Sequence, residues 1–186
     1  MTDDILWAVG RSSGVVALLL LTASLWLGIV ARSGRPLPGL PRFSVTLVHR
    51  NVSLLAVVFL VLHIGTLLLD SYAKLTLTDV LVPILGAHLP FWLGLGTVAV
   101  DLLIAVTITA LLRRRLGLRV FKAVHWLSYA MWPLALAHTI GDGTDGTSAW
   151  MLLLAGACVL FVLVAVFWRV SAGFVESARA RRGELS

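Results

Sequence analysis

Four histidines carry the chemistry of this sequence. His49 and His63 lie in the apolar stretch LVHRNVSLLAVVFLVLHIGTLLLD, and His125 and His138 in a second one, FKAVHWLSYAMWPLALAH. The first two are 14 residues apart and the second two 13. On an α-helix, a separation of 14 covers roughly 21 Å along the axis and returns to within about 40° of the same face. Each stretch would therefore carry one imidazole towards either side of a bilayer. Two such helices side by side bring four imidazoles into two layers, the geometry for gripping two stacked haems by histidine on both faces. Ligation of that kind leaves no axial position for oxygen or substrate, so such a centre moves electrons.

The second pair is less regular. Thirteen residues on an undistorted helix leave His125 and His138 about 140° apart around the axis. Pro133 lies between them. A proline inside a helix removes a backbone hydrogen bond and kinks the axis, so the second half of this stretch is expected to be re-aimed.

The elements that would position these residues follow from composition. The chain has 186 residues, 59% hydrophobic and 13% charged, which excludes an ordinary soluble domain and points to an all-α membrane protein. About 20 apolar residues cross the hydrocarbon core. Five segments qualify, about 13–31, 47–69, 92–112, 120–140 and 149–170, giving a five-transmembrane-helix bundle that takes in residues 1–186 as a single unit. Asp3 and Asp4 spoil the positive start of a signal peptide, and Arg32 flanks the far end of the first apolar run, so that run reads as a retained span.

Charge sets the expected orientation. Arg32, Arg35, Arg42 and Arg50 fall in one connection, Arg113, Arg114, Arg115, Arg119 and Lys122 in another, and Arg169, Arg179, Arg181 and Arg182 towards the C-terminus. These sides face the cytoplasm by the positive-inside rule, which puts the N-terminus outside, the C-terminus inside, and His49 with His125 in the inner layer. The net charge of +6 thus reports topology and not a nucleic-acid surface. The chain is expected in the cell (plasma) membrane as a multi-pass protein.

Several other residues are candidates. Arg50, Arg113 and Lys122 inside, with Arg11 outside, are placed to pair with haem propionates, or else simply flank the spans. Asp101, in the middle of the third span, should face the bundle interior with a partner, because a carboxylate in lipid is costly. His88 falls in a mixed segment, residues 71–90, expected to lie along the outer surface as a half-buried cap. Cys158 excludes an intramolecular disulfide and reads as a small buried apolar residue. Trp92, Trp126, Trp150 and Trp168 sit near span ends as interfacial anchors, with Trp132 deeper. No nucleotide-binding glycine motif, HExxH or CxxC pattern occurs.

These spacings, with Phe121 four residues before His125 and Tyr129 four after it, resemble the ferric reductase-like transmembrane domain. That domain is shared by NADPH oxidases, iron reductases and the haem-binding membrane subunit of the bacterial methionine sulfoxide reductase system. The resemblance covers roughly residues 5–170. It implies two b-type haems, ligated by His49 with His125 and by His63 with His138, and electron flow from a cytosolic donor outwards. It also implies that a spacing of 13 is tolerated in the second histidine helix. The chain departs from the family in showing five spans where six are usual, and in lacking the flavin and NADPH domains of the large oxidases. The implied donor is a separate flavoprotein reductase or a quinol, so that any flavin or quinone comes from a partner.

The expected function is therefore a di-haem b electron-transfer protein and oxidoreductase component. It would pass electrons to a redox partner or small acceptor at the outer face. Two other readings stand beside it: an ion or proton transporter using the histidines and Asp101, and a cofactor-free membrane anchor.

Overall fold

A computed structural model describes residues 2–34, 39, 41–71, 73, 75–83, 90–171, 173 and 174. Among them the chain is helical and contains no strand: α1 Thr2–Ser33, α2 Arg42–Leu69, α3 Leu77–Leu81, α4 Pro90–Leu111, α5 Arg113–His125, α6 Ser128–Asp142 and α7 Ala149–Val170. His88 lies outside the described residues, as do the last 12 positions, 175–186.

Among the described residues, four helices are long and apolar enough to cross a membrane: α1, α2, α4 and α7. The fourth expected crossing, 120–140, is divided between α5 and α6. Ahead of that crossing, Gly117 interrupts α5. Its φ of 81° is a backbone setting that costs glycine little and other residues more, and it ends the basic first part of α5. The division itself is at Trp126 and Leu127, where the helical course tightens. Leu127 N–H donates to Val124, Tyr129 to Trp126 and Ala130 to Leu127, each three residues back, before Met131 returns to a four-residue bond with Leu127. A three-residue turn advances about 120° per residue against about 100° in an α-helix. The tightening therefore works off part of the offset between His125 and His138, and Pro133 inside α6 adds its kink.

The first span also begins earlier than expected. Its helix runs from Thr2, so Arg11 sits within α1 and not ahead of it. Polar residues in these apolar helices bond to their own backbone. Ser13 donates to Val9, Thr22 to Leu18, Thr66 to Leu62 and Thr109 to Ala105, which removes the cost of an unmet hydroxyl where water is absent.

Packing centres on α1. It lies antiparallel along the length of α2, and also touches α6 and α7, while α4 packs on α6 and α5. Extensive packing of α2 is confined to α1. The main core, Leu21, Ala56, Ala99, Leu103, Met131, Trp132, Cys158 and Val162, fills the middle of the bundle. Trp132 Nε1 donates to Thr22 Oγ1 at 2.9 Å, a buried polar tie between α6 and α1. Cys158 is buried and free, as a small apolar residue would be.

Short α3 is held by a reciprocal cap: Thr76 and Asp79 each bond the other's backbone N–H. Thr97 Oγ1 of α4 donates to the Asp79 carbonyl at 2.8 Å. This is the part of the expected outer cap that falls within the described residues, and none of its helical residues is buried.

Candidate functional site

Three of the four histidines are placed by the helix opposite them. His63 Nδ1 donates to the carbonyl of Gly10 at 2.7 Å, His49 Nδ1 to that of Ser24 at 3.0 Å, and His138 Nδ1 to that of Trp92 at 3.0 Å. A carbonyl only accepts, so each of these rings carries its proton on Nδ1 and keeps a bare lone pair on Nε2. This tautomer makes Nε2 the available metal ligand, and the hydrogen bond fixes the ring's direction.

A glycine accompanies every one of these bonds, four residues after the accepting carbonyl. A Cβ on Gly14 would lie 2.8 Å from His63 Nδ1, one on Gly28 would lie 3.3 Å from His49 Cε1, and one on Gly96 would lie 2.7 Å from His138 Nδ1. The cause is helix geometry. Cα–Cβ bonds tilt towards the N-terminus, so the side chain of residue i+4 leans over the carbonyl of residue i. An imidazole reaches that carbonyl only where the later residue has no side chain. Gly14 and Gly28 stand 14 residues apart on α1, the same interval as His63 and His49 on α2.

The fourth histidine differs. His125 closes α5, its ring tilted against Phe121 at 5.0 Å, and its buried Nδ1 makes no hydrogen bond. Its ring faces that of His49 with centroids 6.2 Å apart and planes at 85°. Two imidazoles on opposite sides of one metal, with bonds of about 2.0 Å and ring centres about 1.1 Å further out, would stand roughly 6 Å apart. In the other layer, His138 and the carboxylate of Asp142 are the groups whose charge bears on His63. Asp142 Oδ2 stands 4.0 Å from His138 Nδ1. His49 thus stands ring to ring with His125, and His63 lies close enough to His138 for their charges to interact.

The cations are arranged otherwise than expected. Arg11 is ion-paired with Asp145 of the α6–α7 connection, and its guanidinium lies 4.0 Å above the Trp7 ring. Arg50, Arg113 and Lys122 are exposed. The guanidiniums that do reach the His49–His125 layer are Arg32, from the last turn of α1, and Arg169, from the last turn of α7. Arg32 bears on both His125 and Tyr129, and Arg169 on Tyr129. Arg169 lies 5.1 Å over the Trp126 ring with its Nη1 buried and without a hydrogen bond. Sequence reasoning had counted both only as flanking charges. Their position beside the histidines depends on where α1 and α7 end, which composition does not mark.

Asp101 is exposed on α4, although Thr97, one turn earlier on the same side of that helix, is buried.

A family model described as "Ferric reductase like transmembrane component" matches residues 13–136. No curated protein and no solved structure gives a match. The matched stretch contains His49, His63 and His125 and stops two residues before His138, so the last histidine is supported by its position opposite Gly96 rather than by the match. With well over half of the chain covered and four membrane-length helices, this integral, multi-pass membrane protein belongs to the ferric reductase-like transmembrane family.

Proposed function

We propose that the chain is a di-haem b electron-transfer subunit, with His49 and His125 as the axial pair of one centre and His63 and His138 as the pair of the other. One observation carries this reading. Three of the four rings are locked in the Nδ1–H tautomer by backbone carbonyls across a glycine gap, so their ligating nitrogens are prepared. A histidine that served only as an internal hydrogen-bonding residue would not need its other nitrogen kept bare. The separation of the His49 and His125 rings, 6.2 Å, suits a single metal between them.

Haem held by two imidazoles supplies a one-electron carrier with no coordination site open to substrate. The protein's own work is positional. The carbonyls of Gly10, Ser24 and Trp92 aim the rings, the three glycines admit them, and the core around Trp132 holds the two layers apart. In this reading Arg32 and Arg169 serve the propionates of the His49–His125 layer in place of Arg50, Arg113 and Lys122. Arg11 is engaged by Asp145.

The membership in a transmembrane redox family supports electron transfer across the membrane. The distribution of basic residues supports the His49–His125 layer as the cytoplasmic one. Electrons then enter from a cytosolic flavoprotein or a quinol and leave to an acceptor at the outer face of the cell membrane.

Purification in detergent followed by a reduced-minus-oxidised spectrum and haem quantitation tests the proposal. The expected result is a low-spin b-type spectrum with about two haems per chain, falling to about one in His63→Ala or His138→Ala. A colourless protein overturns it.

A further inference from the structure

Asp101 stands eleven residues after the first residue of α4 and ten before its last, so at about 1.5 Å per residue it lies roughly 15 Å from either end of the span. An aspartate side chain is far too short to reach water from there. It is exposed, and among the described residues it has no hydrogen bond or ion pair. A carboxylate left against lipid at this depth is costly, and intramembrane carboxylates are met by a partner. We propose that the Asp101 face of α4 docks a transmembrane helix of another protein, one that presents a lysine or arginine at the same depth.

The shape of the face fits a single helix. Gly94, Thr97, Asp101, Ile104, Ile108 and Leu111 follow one another at alternating intervals of three and four, the spacing that keeps a row of side chains along one side of a helix and that a neighbour crossing at a shallow left-handed angle packs against. The first part of the row is taken. Gly94 and Thr97 are buried, and Thr97 Oγ1 donates to the Asp79 carbonyl of α3 at 2.8 Å. From Asp101 onwards the row is uncovered, with Ile104 51%, Ile108 48% and Leu111 64% exposed. Cover that begins beside α3 thus stops one turn short of the carboxyl. The row also lies away from the histidines, since Gly96, which faces His138, is about 140° around the helix from Asp101. Neither the histidines nor a haem enters this contact.

Charge decides between occupants. No lysine or arginine occurs in residues 12–31, 51–73, 75–112 or 123–168, so the crossing segments of a second copy carry no cation at this depth. A second copy brings to Asp101 only its own carboxyl or neutral groups. A lysine or arginine on a foreign helix instead cancels the carboxylate in a medium where opposite charges attract far more strongly than in water. Ile104, Ile108 and Leu111 then supply the apolar contact along the rest of the row. The carboxylate sets the depth and the sign of the partner's charge, and a helix without a cation is rejected because it leaves Asp101 unmet.

Energy transfer in phosphatidylcholine vesicles tests this. The full chain, carrying a donor dye at its N-terminus, is reconstituted with an acceptor-labelled leucine peptide of about 20 residues that bears a single central lysine. Association at least about threefold tighter than that of the same peptide without lysine is expected, the gain that an average interhelical polar contact gives in a membrane. Asp101→Leu should abolish the preference, and Asp101→Glu, which keeps the carboxylate, should retain it. Moving the lysine about two turns towards either end of the peptide should weaken it. Equal transfer with and without lysine, or a preference that survives Asp101→Leu, overturns the proposal. So does self-association of the parent chain in peptide-free vesicles that Asp101→Leu abolishes, which would give the face to a second copy.

Discussion

The ring of His63 occupies the place that a side chain at residue 14 would fill: a Cβ on Gly14 would stand 2.8 Å from its Nδ1. The contact is needed because the carbonyl that orients the ring, Gly10, lies one helical turn earlier on the same face of α1. Gly96 stands in the same relation to His138, at 2.7 Å, and Gly28 in a looser one to His49, at 3.3 Å. These three distances predict a graded series. Gly14→Ala and Gly96→Ala should push their histidines off their carbonyls, at a cost of about 1–3 kcal/mol for overpacking, and each should cost the protein the haem of the His63–His138 layer. Gly28→Ala should be milder, since a few tenths of an ångström of movement accommodates it. Gly65→Ala and Gly156→Ala, which would meet nothing within 4 Å, are the controls. Haem content and thermal midpoint in detergent read the series; equal behaviour of all five variants would remove the gap-and-carbonyl account.

Acid should loosen the cap of α3 in a particular pH range. The side-chain and backbone hydrogen bonds from Thr76 hold the Asp79 carboxyl below its ordinary value. A depressed carboxylate contributes stability that is present above the unfolded value of about 3.9 and is lost as pH falls through the lower folded one. The Thr76 amide resonance should therefore titrate with a midpoint below that of a free aspartate. In Thr76→Ala the Asp79 midpoint should return upwards. A midpoint at or above the free value in the parent protein would rule out the reciprocal cap as the cause.

Much of the site could be read from the sequence because the relevant interval is a property of one helix. The spacing of His49 and His63 by 14 residues depends on nothing but helical pitch. Gly14 and Gly28 repeat that interval on α1 and could have been read as the matching cradle. What the sequence did not yield depends on contacts between elements. Trp126 and Leu127 carry no helix-breaking residue, yet three-residue hydrogen bonds gather there. The predicted fourth span thus becomes two helices, and the phase of His138 shifts. Arg32 and Arg169 come to the His49–His125 layer because α1 and α7 end there together. Asp101 was expected inside on the ground of its cost in lipid, but it is exposed, although helical spacing sets it on the same side as the buried Gly94 and Thr97.

The hydrogen bond from Trp132 Nε1 to Thr22 Oγ1, 2.9 Å long and buried, lies between the two histidine layers in both helices. Thr22 follows Gly14 by eight residues and precedes Gly28 by six, while Trp132 follows His125 by seven and precedes His138 by six. The tie therefore fixes the sliding position of α6 against α1, on which both layers depend. Thr22→Val keeps the shape of the side chain but leaves the indole N–H without an acceptor. Interhelical hydrogen bonds in membranes average about 0.6 kcal/mol, and a buried donor left unmet costs about 1–3 kcal/mol. A loss of about 1 kcal/mol is therefore expected, measured as a shift in the midpoint of unfolding in mixed detergent micelles. Because α6 would be freer to slide, binding in both histidine layers should weaken together, unlike the effect expected of any single histidine variant. Thr22→Ser, which retains the hydroxyl, should restore most of the loss. If Thr22→Val behaved like the parent protein, or Thr22→Ser lost as much as Thr22→Val, the register would have to be set elsewhere, by the packing of Leu21 and Met131 in the same core.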